Sequence, residues 1–194
     1  MELSERDALI VVDVQNDFCP GGALPVPTGM DVASTMSMVA NTFVARGARV
    51  YATQDWHPPG HSSFKAQGGP WPPHCVQDTD GADFHPAMIF PAGVTVVRKG
   101  TSPGQDAYSG FIDSDLDAQL KDAGVTRVFV GGLATDYCVL NTVLDAVRNG
   151  FETYVLSDAI GAVDVEPGDG DRAVGRMTDA GARFATSMEL LAPA

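Results

Sequence analysis

Ala8-Leu9-Ile10-Val11-Val12-Asp13-Val14 decides the fold. A half-exposed strand alternates apolar with polar residues. A run that is apolar at every position but one is buried on both faces, the pattern of a central strand in a parallel sheet covered by helices. Outward from this run, residues 31–45 carry helical spacing at Val32, Met36, Val39 and Phe43 and stop before Gly47. Residues 49–55 read as a strand, 56–92 as a long proline-rich loop, and 94–99 as a strand. Asp113 is expected to cap a helix that runs to about residue 123. A strand over 127–131, a helix over 137–149 ended by Gly150, a strand over 153–157, a helix over about 170–180 and a short strand over 182–185 complete the chain. Strands and helices in this alternating order predict a three-layer α/β/α architecture, a doubly wound and mostly parallel sheet.

Composition bounds the function. At 194 residues, 44% of them hydrophobic, the chain is long enough to bury a core as one domain spanning 1–194. It has no apolar run of membrane-spanning length. The opening Met-Glu-Leu-Ser-Glu-Arg-Asp is acidic and leads straight into a strand, which is not the pattern of a signal peptide, so a cytoplasmic address is expected. A net charge of −13 argues against nucleic acid or an anionic membrane as partner, since both require a positive footprint. The expected partner is a small molecule, the protein itself being a monomer or small homo-oligomer. Three cysteines at irregular positions, 19, 75 and 138, do not make a disulfide framework; a buried or reactive thiol is the better expectation.

Three of the four histidines fall with one aspartate inside Asp55-Trp-His57-Pro-Pro-Gly-His61 and Trp71-Pro-Pro-His74. Positions i and i+2 of an extended backbone share a face, so Asp55 and His57 can point at one ion. Pro58-Pro59-Gly60 then turns the chain and lets His61 return toward the same point, and His74 closes the set from a loop. One carboxylate and three imidazoles suit a divalent Zn, Fe or Mn ion with positions left open to water or a ligand. Loop histidines beside prolines are otherwise ordinary surface residues, but so dense a cluster favours the metal.

Ligands of a doubly wound sheet bind off the carboxyl ends of the strands, near the point where strand order reverses. Asp13, Asp55 and Lys99 each close a strand, and Gly131-Gly-Leu133-Ala134-Thr-Asp-Tyr137-Cys138 follows the fourth and opens a helix. A thiol at a helix start meets free N–H groups and the positive end of the macrodipole, which favour the thiolate, and Lys99 would add to this. Asp13 could accept the thiol proton. Each residue also has an ordinary role open to it: Cys138 as a small core residue, Asp13 as a turn cap, Lys99 as a solvated strand end. Yet an acid inside an apolar run is costly unless paired, and Lys99 is the available partner. Cys19 and Cys75 lack such neighbours and are assigned to packing or loops.

With these residues in view, the chain resembles the nicotinamidases, or pyrazinamidases, of the isochorismatase-like cysteine hydrolase superfamily. The resemblance rests on Val-Asp13-Val-Gln-Asn-Asp-Phe18-Cys-Pro-Gly-Gly, on Thr-Gln-Asp55-Trp-His57-Pro-Pro-Gly-His61-Ser-Ser-Phe with Trp71-Pro-Pro-His74-Cys, on Arg98-Lys99-Gly100 with Tyr108-Ser-Gly-Phe111, and on the Gly131 to Cys138 segment. The stretch after Val163 matches weakly, and its acidic run over 164–171 reads as a solvated loop and helix start, not a calcium site. The resemblance implies Cys138 as nucleophile, Asp13 as base and acid, and Lys99 as the charge that holds the pair. It implies an oxyanion site at the N–H groups of Ala134 and Cys138, positioned by a non-proline cis bond at Leu133–Ala134. It also implies a divalent metal on Asp55, His57, His61 and His74 that binds the ring nitrogen of nicotinamide, in a pocket walled by Phe18, Trp71 and Tyr137. Position 137 is Tyr where some relatives have His, a difference confined to the outer wall. Within the same fold, a vinyl-ether hydrolase would need neither the cysteine nor the histidines, and a carbamoyl-amine amidase would not need the histidines. Outside enzymes, the chain could be a metal-binding or protein-interaction module built on an inert α/β scaffold, which an ammonia-release assay on nicotinamide separates from the hydrolases.

Overall fold

Residues 1–191 are described by the computed structural model. Six strands form one sheet: β1 (Asp7–Val12), β2 (Arg49–Asp55), β3 (Thr95–Lys99), β4 (Arg127–Leu133), β5 (Glu152–Gly161) and β6 (Arg183–Ala185). Their order is β3-β2-β1-β4-β5-β6, and every pair is parallel. The strand order reverses between β1 and β4, the two central strands. The helices are α1 (Gly29–Ala45), α2 (Leu116–Asp122), α3 (Leu140–Arg148), α4 (Asp169–Asp179) and α5 (Ser187–Leu191). Among the described residues none is long and apolar enough to cross a membrane.

The continuous apolar run of β1 serves both faces of the sheet. Leu9 and Val11 pack with Met36, Val39, Ala40 and Phe43 of α1 and Leu190 of α5 on one side. Ala8, Ile10 and Val12 pack on the other with Leu116 and Leu120 of α2, Val143 and Ala146 of α3, and Ala173 and Met177 of α4. Each fully buried aliphatic side chain contributes about 1.5–3 kcal/mol. The strand is therefore pinned from two sides, and its carboxyl end is a rigid platform.

Most expected elements fall within two residues of their observed bounds, and the exceptions have local causes. Asp113 does not cap α2; it adopts a left-handed conformation (φ 55°) and accepts a hydrogen bond from Thr101 Oγ1, while Ser114 Oγ accepts the Leu116 N–H where α2 begins. Regular α3 starts at Leu140, not Tyr137, because residues Thr135–Val139 form a wider π turn. The β5 strand outruns its expected end at residue 157. Asp158 looks like a strand terminator but receives both the backbone N–H and the hydroxyl of Ser187, at 2.8 and 2.6 Å, at the start of α5. The β4–β5 register also shifts between Val130 and Gly132, and a Cβ at Gly132 (φ 127°) would strike the backbone of Val12. Close approach of β4 to β1 at the reversal point thus requires glycine. The acidic run enters α4 as expected: Asp164 Oδ1 accepts the Gly170 N–H, and Asp169 pairs with Arg172.

Candidate active site

Asp13, Asp55, Lys99 and the Ala134–Cys138 turn meet above the carboxyl ends of β1–β4. Asp13 sits one residue beyond β1 in a left-handed conformation (φ 46°) that short polar residues tolerate. Thr53 fixes it: its hydroxyl donates to Asp13 Oδ1 at 2.7 Å and accepts the Asp13 N–H at 3.2 Å. Lys99 is not a solvated strand end; it is 0% exposed. Its Nζ lies 2.7 Å from Asp13 Oδ2, 2.5 Å from Asp55 Oδ1, 3.0 Å from the Ala107 carbonyl and 3.6 Å from Cys138 Sγ. The ammonium thus sits between two carboxylates that would otherwise repel one another, with a carbonyl and the thiol completing its neighbours.

These charges set the protonation states. Burial disfavours the Lys99 ammonium, but Asp13 and Asp55 outweigh it and hold the amine well above the usual lysine range. Burial likewise works against ionised Asp55, yet Lys99 and His57, whose Nε2 is 3.5 Å away, pull its carboxyl below the ordinary range. At Asp13 burial prevails over the help of Lys99, and the charge of Asp55 adds to it, so the carboxyl is raised. A proton entering this pair therefore goes to Asp13. The Cys138 thiol is also raised well above its usual range, by burial first and then by the two carboxylates, against the pull of Lys99. This opposes the pull toward thiolate that the helix start and Lys99 supply. Desolvation exceeds what a turn of free N–H groups supplies, and the Asp13 and Asp55 carboxylates add to it.

Asp55, His57 and His74 form a second cluster, all buried, with ligand-type atoms within 4.8 Å of one another. The backbone brings the loop back to the strand end: the His57 N–H donates to the Cys75 carbonyl and the Gln77 N–H to the His57 carbonyl, both at 2.9 Å. Nδ1 of His57 faces the Gly100 carbonyl at 3.0 Å and Nδ1 of His74 the Pro72 carbonyl at 2.8 Å. Each Nδ1 must carry the proton, which leaves each Nε2 with its lone pair inward, the arrangement of histidine ligands oriented by backbone carbonyls. The 3.5 Å between His57 Nε2 and Asp55 Oδ2 is close to the ~3.3 Å edge of a tetrahedron with ~2.0–2.1 Å bonds. Gly100 (φ 62°) makes room for the ring, since a Cβ there would lie 2.5 Å from His57 Cε1. The donors therefore fit a divalent ion such as Zn, Fe or Mn. His61 stands apart from this group. Its ring stacks on His57 with centroids 4.2 Å apart, but its nitrogens face Ser63 and the Gln105 carbonyl.

Between the two clusters lies a pocket lined by Phe18, Trp71, Tyr137, Ala134 and Cys138, together with Asp55 and His74. Trp71 meets Tyr137 edge to face at 5.0 Å. The peptide between Leu133 and Ala134 is cis. Leu24, Tyr108 and Val163 also line the pocket and were not singled out as site residues from sequence. Thr53 and Gln15 were missed as well; the Gln15 side chain clamps both the N–H and the carbonyl of Asp55, each at 2.8 Å. Thr53 had a readable signal, since it lies two residues before Asp55 on the same strand face. Cys19 and Cys75 are buried in the core, as assigned.

The isochorismatase domain matches residues 7–189. The chain belongs to the isochorismatase domain family. This isochorismatase-family chain is 40% identical to the nicotinamidase of Escherichia coli strain K12, over 92% of this chain and 94% of that enzyme. It is 44% identical to the nicotinamidase/pyrazinamidase of Mycobacterium tuberculosis strain H37Rv, over 82% and 88%. It superposes on the crystal structure of the pyrazinamidase of Pyrococcus horikoshii in complex with zinc with a TM-score of 0.89 and 45% identity, over 93% of this chain and 99% of that one.

Proposed function

We propose that this protein is a cysteine amidohydrolase that converts nicotinamide to nicotinic acid and ammonia, and pyrazinamide to pyrazinoic acid. The observation that carries the reading is the buried Lys99 ammonium, which bridges Asp13 at 2.7 Å and Cys138 Sγ at 3.6 Å while its other carboxylate partner, Asp55, belongs to the metal-type cluster. The curated relatives with this activity support it.

In the proposed reaction Cys138 Sγ attacks the carboxamide carbon as its proton passes to Asp13 Oδ2. The N–H groups of Ala134 and Cys138 receive the oxyanion. Collapse breaks the C–N bond, and Asp13 returns the proton to the departing nitrogen, releasing ammonia and leaving a thioester on Cys138. Water then loses a proton to Asp13 and attacks the thioester carbon; the C–S bond breaks, and the thiol is restored. Lys99 holds the negative charge that moves between sulfur and carboxylate. A divalent ion on Asp55, His57 and His74 would supply a Lewis-acidic position for the ring nitrogen of the substrate. Phe18 and Trp71 would wall the ring. Ammonia release is the test: nicotinamide should be turned over, whereas no release from it, alongside turnover of a carbamoyl amine or of isochorismate, would overturn the proposal.

The charge balance makes Asp13 the sensitive point. Asp13→Asn keeps the shape and removes the base, so kcat should fall by about 10²–10⁴-fold. Because the Asp13 carboxyl is raised by burial above the ordinary aspartate value of 3.8 and must be ionised to act, kcat/KM should fall as pH drops through an acid limb above pH 3.8. The residual rate of Asp13→Asn should lack that limb. An unchanged acid limb in the variant would assign it to another group.

A further inference from the structure

We infer that His61 is a positioning residue that straps residues 103–108 across the pocket and, through them, steadies Lys99, and that it is not a ligand of the metal. The inference deepens the proposed function and rests on it for the role of Lys99.

The tautomer carries the argument. The backbone N–H of Ser63 donates to His61 Nδ1 at 3.3 Å, and the Ser63 hydroxyl lies 2.8 Å from the same atom. An atom that accepts an N–H has no proton of its own, so the neutral ring carries its proton on Nε2. That proton is donated to the Gln105 carbonyl at 3.0 Å. His57 and His74 have the opposite arrangement, with Nδ1 protonated toward a carbonyl and Nε2 free. Neither nitrogen of His61 therefore offers a lone pair to the cluster beside it, and the donors that converge are Asp55, His57 and His74.

The receiving segment explains what the bond does. Residues 103–108 form no helix or strand, so side-chain and loop bonds hold them in place. Three donors from the 61–71 loop reach this segment: Ser62 N–H to the Pro103 carbonyl at 2.8 Å, His61 Nε2–H to Gln105 at 3.0 Å, and Trp71 Nε1–H to Tyr108 Oη at 2.9 Å. The His61 bond is the central one. Two residues beyond Gln105, the Ala107 carbonyl accepts from Lys99 Nζ at 3.0 Å. That carbonyl is the one acceptor of Lys99 that is neither a carboxylate nor the thiol, so it sets where the ammonium stands between Asp13 and Cys138. His61 touches none of the reacting atoms and acts on them through this strap.

Two variants separate the strap from a ligand. His61→Ala removes the donor; His61→Gln keeps an N–H that can reach the Gln105 carbonyl but is a poor metal ligand. Zinc affinity is measured by competition with a chromophoric chelator, amide exchange over 103–108 by mass spectrometry, and kcat and KM on nicotinamide. The expected result is zinc affinity within about 10-fold of the parent in both variants, below the ~10–100-fold cost of disturbing groups that orient ligands. Exchange over 103–108 should be about 10-fold faster in His61→Ala, the worth of one net hydrogen bond. The kcat should fall with that variant, KM should hold, and His61→Gln should restore both protection and kcat. A larger zinc loss in His61→Gln, or unchanged exchange in His61→Ala, would overturn the inference. If the parent fails to hydrolyse nicotinamide, the functional proposal falls while the zinc and exchange measurements still decide the role of His61.

Discussion

Cys138→Ala is expected to abolish nicotinamide turnover while leaving the fold and the bound metal intact. Deleting a nucleophile from a coupled catalytic set costs about 10⁴–10⁶-fold in kcat, because the remaining members have no covalent partner to activate. Here Asp13 and Lys99 would retain their 2.7 Å pair but have no sulfur on which to act. The substitution removes one buried atom at the edge of the α3 core, where Cys138 is 5% exposed, so the stability loss should be small. Metal content should also survive, since Asp55, His57 and His74 make their cluster without the thiol. Circular dichroism, metal analysis and ammonia release on one preparation decide it; comparable turnover in the variant would end the cysteine mechanism. Cys19→Ala and Cys75→Ala provide the contrast. Both residues lie in the core and neither is among the groups bonded to Lys99 Nζ, so each variant should keep most of the rate, with Cys75→Ala tested for metal retention because it adjoins His74.

The frame of this site was legible in the sequence because strand ends announce themselves. A continuous apolar run that stops at a charged residue marks where a buried strand reaches the ligand-binding edge; Asp13 carries that mark, while Asp55 and Lys99 are charged residues closing strands that turn polar before their ends. The parallel order followed from the same runs. What stayed hidden depends on partners distant in sequence. Nothing near Lys99 signals that both of its carboxylates come from other strands, so burial and a solvated end were equally open. The Cys138 thiol looked activated because helix-start electrostatics are local and visible, whereas desolvation by the surrounding core and two carboxylates is neither. His61 has ligand spacing, but the orientation of its ring is decided by the Gln105 carbonyl, far along the chain. The extension of β5 past residue 157 was hidden because the bond of Asp158 to Ser187 spans two elements.

Benzamide should be a very poor substrate even for the metal-loaded enzyme, whereas pyrazinamide should be hydrolysed. Benzamide has the same size and the same carboxamide as nicotinamide, and Phe18, Trp71 and Tyr137 would receive its ring as readily. It lacks only the ring nitrogen. In the proposed pose that nitrogen points at the cluster of Asp55, His57 and His74, whose Asp55 and His74 line the pocket together with Cys138. A ring without a donor leaves the open coordination position to water and loses the interaction that orients the amide toward sulfur. Sites built to bind one polar group discriminate against analogues lacking it by about 10⁴–10⁵-fold, so a kcat/KM deficit of that order is expected for benzamide. Pyrazinamide keeps a nitrogen at the equivalent position and should escape the penalty. Chelation, or His57→Ala, should bring nicotinamide down toward the benzamide rate, because the substrates then differ in nothing the protein can read. Steady-state kcat/KM for the three amides, with metal content measured alongside, is decisive. Equal rates for benzamide and nicotinamide in the loaded enzyme would assign the metal a structural role and leave the aromatic walls alone to select the ring.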